Sequence, residues 1–162
     1  MLDNLEIGQS EAFSAAVIYV NTPRDQMQTT MTAAISELMA TVNKQGIGPA
    51  GPLFAHHKRQ SDGFEFEVGV PVSGSVNTIG RVKAGQLPAA TVARVVYSGA
   101  YEGLHSAWAE FYNRLNTELG AQMTERGLKP GPTFWESYVQ GPESNPNPET
   151  FRTELVVPLI DV

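Results

Sequence analysis

Residues 133–140 read Thr133-Phe-Trp-Glu-Ser-Tyr-Val-Gln140. The stretch is rich in aromatic residues and is expected to be a strand. Side chains alternate along a strand, which puts Phe134, Glu136 and Tyr138 on one face and Trp135 on the other. A carboxyl group flanked on its own face by two aromatic rings has three physical outcomes. It reaches water, it is neutralised by a proton or a hydrogen-bonded partner, or it faces a cavity suited to something cationic or reactive.

Working outward, the neighbours of this strand repeat an earlier part of the chain. Gly131-Pro-Thr-Phe134 matches Gly51-Pro-Leu-Phe54, and Phe151-Arg-Thr-Glu-Leu-Val-Val-Pro158 matches Phe64-Glu-Phe-Glu-Val-Gly-Val-Pro71. Val95-Val-Tyr97 likewise matches Val17-Ile-Tyr19. Each half reads strand, helix, strand, strand, and such self-similarity is the sequence mark of an internal repeat.

In the first half, Ala15 to Val20 is a β-branched and aromatic run expected to be a buried strand. Thr22-Pro-Arg-Asp25 supplies a helix cap, proline at the first helical position and an acid in the first turn. Met27, Met31, Ala34, Leu38 and Val42 then form one apolar face, with Ile35 beside it, and Gly46 suits the left-handed helix end. Strands follow at Leu53–Lys58 and Phe64–Val72, separated by a turn at Gln60–Gly63. Ser73 to Gln86 reads as a connector with a short strand near Ile79–Val82.

The second half begins with a strand at Ala89–Ser98. A helix opened by Ser98 or Gly99 carries Tyr101, Leu104, Trp108, Phe111 and Leu115 on one face and closes at Gly127. The short turn of the first half is replaced by Gln140-Gly-Pro-Glu-Ser-Asn-Pro-Asn-Pro-Glu149, whose prolines predict a stiff, extended loop. That loop rims a cleft or is an ordinary surface loop.

The expected fold is one α+β domain over residues 1–162: repeat one at 11–72, a connector at 73–88 and repeat two at 89–160. The repeats would be related by a pseudo-two-fold axis, with antiparallel sheet, two long helices and a central cleft.

Composition removes several function classes. The net charge of −6 and the lack of a Lys/Arg cluster argue against direct nucleic-acid binding. Cysteine is absent, so disulfides and thiolate chemistry are excluded. Met1-Leu-Asp-Asn-Leu-Glu-Ile7 lacks the features of a secretory signal, and no run reaches the roughly 20 apolar residues that span a membrane. A cytoplasmic protein without membrane attachment is the expectation. Gly80-Arg-Val-Lys-Ala-Gly85 lacks the spacing of a phosphate loop, and no Gly-x-Ser-x-Gly elbow occurs. Adjacent His56 and His57 are too close along a strand to share a metal, so neither metal nor cofactor is expected.

The duplicated unit, Val95-Val-Tyr-Ser-Gly-Ala-Tyr-Glu-Gly-Leu104, Trp135-Glu-Ser-Tyr138 with its Pro/Asn loop, and Leu155-Val-Val-Pro158 together resemble the GyrI-like effector-binding family. The resemblance covers about Ala12 to Leu159. The family includes ligand-binding domains of AraC-type and MerR-type transcription regulators and stand-alone proteins. With no room for a helix-turn-helix before Glu11 or after Val162, a stand-alone module is expected. The resemblance implies that Glu136 projects into a cleft that receives flat, lipophilic, cationic molecules. It equally implies an alternative, since similar stand-alone members hydrolyse electrophilic compounds with this acid and a nearby aromatic hydroxyl. Other relatives inhibit gyrase, so a protein partner stays open, although no surface in this sequence encodes one.

The candidate ligand-binding residues are therefore Glu136, Tyr138, Trp108, Tyr112, Phe151 and His56. Glu136 would be the electrostatic anchor and the rings would be walls. Trp108 also belongs to the apolar stripe of its helix and serves core packing equally well. Tyr112 lies beside that stripe with His105. His56 enters because the repeat alignment puts it where Glu136 stands, though a solvated or hydrogen-bonded strand residue is the simpler reading. His57 falls on the opposite face. In the hydrolytic alternative, Glu136 is the general base and Tyr112 or Tyr138 the polarising group. Tyr19 and Tyr97 are expected in the core, and Trp135 as a core or edge anchor.

Overall fold

A computed structural model describes residues 1–60 and 64–162; the turn expected at Gln60–Gly63 falls largely outside them. The elements in chain order are β1 (Glu6–Ser10), β2 (Phe13–Thr22), α1 (Met27–Gln45), β3 (Phe54–Gln60), β4 (Phe64–Pro71) and β5 (Lys83–Leu87). They continue with β6 (Ala90–Ser98), α2 (Leu104–Glu125), β7 (Leu128–Pro130), β8 (Phe134–Gln140) and β9 (Arg152–Asp161). The fold is α+β, with antiparallel strands and two long helices, as expected. It divides into two units: Glu11–Ala89, and Met1–Ser10 together with Ala90–Val162.

In the unit of Glu11–Ala89 the sheet order is β3-β4-β2-β5. Val17, Ile18 and Val20 of β2 are buried, as the apolar run requires. Ala34, Leu38 and Val42 of α1 are buried too, and Gly46 closes the helix with a φ of 66°. The helix starts later than Thr22-Pro23 predicts. Thr22 is still paired with Phe64 in the β2–β4 ladder, which holds its backbone extended. A 3-10 turn at Arg24–Gln26 then intervenes, and Thr22 Oγ1 lies 3.2 Å from the Thr30 hydroxyl. The stretch read as a connector ends in β5, which pairs with β2, while Ile79 and Val82 form only an isolated bridge. Tyr19, expected in the core, is 45% exposed because the alternation of β2 turns it away from the buried Ile18 and Val20.

In the other unit the order is β1-β6-β9-β8, with β7 on β9. β1 was not foreseen; it pairs with β6 from Glu6↔Arg94 to Ser10↔Ala90. The core combines Ala93, Val95 and Tyr97 of β6, Ala107, Phe111, Leu115, Leu119 and Met123 of α2, and Leu155, Val157 and Leu159 of β9. Tyr97 is buried as expected, and its hydroxyl donates to the Ala100 carbonyl at 2.8 Å.

α2 also starts later than expected. Ser98 remains paired with Arg152, Gly99 takes a φ of +142° that favours glycine, and Tyr101–Gly103 form a 3-10 turn. Gly127 closes the helix region with a φ of 66°. The loop after β8 is folded, not extended. The Gly141 carbonyl accepts from Ser144 N–H at 3.0 Å, and Asn147 caps a 3-10 turn at Pro148–Thr150. The prolines there stiffen turns.

Candidate functional site

β8 pairs with β9 in the register Trp135↔Val156, Glu136↔Leu155 and Tyr138↔Thr153. Directly paired residues share a face, so Glu136 points with Leu155, which belongs to the core beneath α2. Trp135 takes the opposite face and is buried, as expected.

Glu136 is 8% exposed. The Trp108 indole Nε1–H donates to its Oε1 at 2.6 Å, and the Tyr138 hydroxyl donates to Oε2 at 2.7 Å. Both donors are neutral. The ion pairs Arg81–Glu37, Arg94–Glu6, and Arg114 with Glu110 and Glu118 lie elsewhere. Burial pushes the Glu136 carboxyl above the ordinary glutamate value, while the two hydrogen bonds pull it back only in part. The Tyr138 hydroxyl is pushed well above the ordinary tyrosine value, by burial first and by the neighbouring Glu136 charge second.

Two aromatic groups surround this acid. Trp108 has ring neighbours at 4.6 Å (Phe134), 5.7 Å (Phe111) and 5.8 Å (Tyr112). Tyr138 meets the edge of Tyr101 at 5.7 Å, and Tyr101 stacks on Phe151 at 5.0 Å. Of the residues singled out in the sequence, Glu136, Tyr138, Trp108, Tyr112 and Phe151 thus belong to one connected cluster. Phe151 is buried, whereas Tyr112 is 39% exposed, with burial of part of the side chain raising its hydroxyl pKa. His105 is exposed.

His56 lies in the other unit, on β3 opposite Glu67. It is buried, not solvated. His57 is buried against Phe66, with ring centroids 5.0 Å apart, and desolvation lowers its pKa to about 4, helped by repulsion from His56. Among the described residues, no group of three or more His, Asp or Glu side chains suits a metal ion.

Sequence reasoning missed Tyr101 as a member of the cluster. Its helical spacing with Leu104 and Trp108 put it on the α2 stripe, whereas it sits on the preceding 3-10 turn. Gly99 and Gly103 on either side were the available signal. The indole bond was missed as well, because Trp108 fits the core stripe so naturally. A separate groove of roughly 530 Å³ follows β1 and β6 and is lined by Leu2, Asp3, Glu6, Arg94, Val96 and Glu154 among others. Arg94 spends its charge on Glu6 there, at 2.6 Å. The buried, cation-free carboxylate makes the Glu136 cluster the stronger candidate.

No helix of the described residues is long and apolar enough to cross a membrane. No curated protein matches the sequence. Among solved structures, the C-terminal domain of EcmrR superposes with a TM-score of 0.75 at 17% identity, covering 98% of each chain. EcmrR in its DNA complex gives 0.74 at 14% identity, covering 98% of this chain; this chain spans only 58% of that one. SAV2435 bound to tetraphenylphosphonium gives 0.61 at 15% identity, covering 98% of this chain and 94% of that one. Likenesses at such low identity establish the fold. The family model described as GyrI-like small molecule binding domain matches residues 4–160. The chain belongs to the GyrI-like family of small-molecule-binding domains.

Proposed function

We propose that this protein binds a lipophilic, aromatic and cationic small molecule, with Glu136 as its electrostatic anchor. The observation that carries this reading is a buried carboxylate whose hydrogen-bond partners are both neutral. A buried charge without a counter-charge costs several kcal/mol, and an arriving cation offsets that cost. Trp108, Tyr138, Phe151 and the partly exposed Tyr112 supply ring faces, each good cation–π contact contributing about 0.5–2 kcal/mol. Tetraphenylphosphonium, the ligand of SAV2435, is itself a lipophilic aromatic cation and the natural first probe.

Calorimetry tests the anchor. Glu136→Gln should weaken tetraphenylphosphonium by about tenfold or more, the loss of a 1.4 kcal/mol charge interaction, while leaving neutral triphenylphosphine oxide nearly unchanged. Equal losses for both ligands would remove Glu136 from the anchoring role.

The hydrolytic alternative has one supporting observation, the raised pKa of Glu136, which suits a general base. Tyr138 is poorly arranged as its polarising partner, since its proton is already committed to Glu136. The role would fall to Tyr112. Chromatography of an isothiocyanate incubated with the protein is the direct assay, and Glu136-dependent product would favour chemistry over binding.

A further inference from the structure

The residues covering Glu136 differ in how firmly they are held. Trp108 sits within α2 and has three ring neighbours. Tyr138 is fixed in the β8–β9 ladder and by its bond to Glu136. Phe151 is buried immediately before β9. Tyr101 is different. It stands on a three-residue 3-10 turn, is 36% exposed, and meets Tyr138 in a T-shaped contact and Phe151 in a stack.

Its backbone is anchored independently of its ring. The Tyr97 hydroxyl pins the backbone at Ala100, so the ring can rotate while the turn stays in place. The Tyr101 hydroxyl rests over Gly141, where an added Cβ would lie 2.6 Å from it. The Glu143 carboxylate borders the same point, 2.9 Å from that Cβ position, and gives the entrance a negative charge. Partly exposed side chains change rotamer quickly compared with motions of a helix or a sheet.

We propose that Tyr101 is the gate of the Glu136 site. Its ring leaves Phe151 and Tyr138 to admit an aromatic cation, and a ring of the ligand takes its place against Phe151. The gate therefore selects for ligands that carry at least one flat ring, and Glu143 draws their positive charge to the entrance. The ligand class rests on the binding reading above; the gate itself is measurable without any ligand.

The ligand-free measurement is hydrogen exchange of the Trp108 indole N–H, followed by NMR and assigned with Trp135→Phe. Tyr101→Ala should accelerate it several-fold. Gly141→Ala, which keeps the tyrosine but crowds its hydroxyl, should act in the same direction. Stopped-flow association of tetraphenylphosphonium should quicken several-fold in both variants. Wild-type indole exchange in Tyr101→Ala overturns the gate, and if that variant does not fold, Gly141→Ala decides in its place. Faster exchange without Glu136-dependent binding of tetraphenylphosphonium upholds the gate and removes the binding reading instead.

Discussion

Trp108 on α2 and Glu136 on β8 are joined by an indole-to-carboxylate hydrogen bond of 2.6 Å across 28 residues of sequence. The bond ties α2 directly to β8. The same bond keeps one carboxylate oxygen satisfied in an environment with little water.

Trp108→Phe preserves a ring against Phe134 and Phe111 but removes the donor. One oxygen of Glu136 is then buried without that bond, which should cost roughly 1–3 kcal/mol of stability. Urea unfolding measures it. An unchanged midpoint would mean that water replaces the indole at no cost.

Glu136 also sets a pH dependence. Its folded pKa lies above the ordinary value of 4.5, so the folded state holds the proton more tightly than the unfolded chain. Stability from this group therefore falls as pH rises from about 4.5 through the raised folded value, and the deficit is complete above it. Glu136→Gln removes the deficit while still accepting from Trp108, so the ligand-free variant should melt higher at neutral pH. A gain of 1 kcal/mol would read as roughly 2–4 °C, shrinking toward pH 4.5. A variant that melts lower at neutral pH would show that the two donors outweigh burial.

The same proton competes with the ligand. Once pH drops below the raised pKa of Glu136, affinity for tetraphenylphosphonium should fall toward the level of Glu136→Gln, a total loss of about tenfold or more, since the cation binds the ionised acid better than the protonated one. Calorimetry in buffers of different ionisation enthalpy would detect the released proton. A flat profile for the cation would contradict an ionised anchor.

His57 provides an independent titration. Its folded pKa of about 4 lies below the ordinary 6.5, so the stability it supports is complete above pH 6.5 and is lost as pH falls toward 4. The full difference amounts to roughly 3 kcal/mol at most. His57→Phe, which keeps a ring beside Phe66, should flatten acid destabilisation in that window. An unaltered acid profile would assign it to other groups.

Strong local patterns carried most of the fold into the sequence. The alternation of Phe134, Glu136 and Tyr138, the apolar faces of α1 and α2, and the helix-ending Gly46 and Gly127 are all present in the structure. Elements that depend on a partner strand were not legible. Glu-Ile-Gly-Gln-Ser of β1 and Lys-Ala-Gly-Gln-Leu of β5 have little β-propensity of their own, and β6 and β2 respectively hold them extended. Both helix starts were read too early for a related reason, since ladder pairing at Thr22 and Ser98 prolongs the strands. In the site, the acid was visible because it broke an apolar pattern. Tyr101 and the Trp108 donor were hidden because each satisfied one.

β1 carries a consequence for how the chain matures. Ser10 and Ala90 hydrogen-bond to each other 80 residues apart, with the whole Glu11–Ala89 unit between them. During synthesis β1 emerges long before the strand that gives it structure, and its ladder closes a large chain loop. The Glu11–Ala89 unit has all its strands available by then, so it is poised to fold first and to shorten the loop that β1 must close.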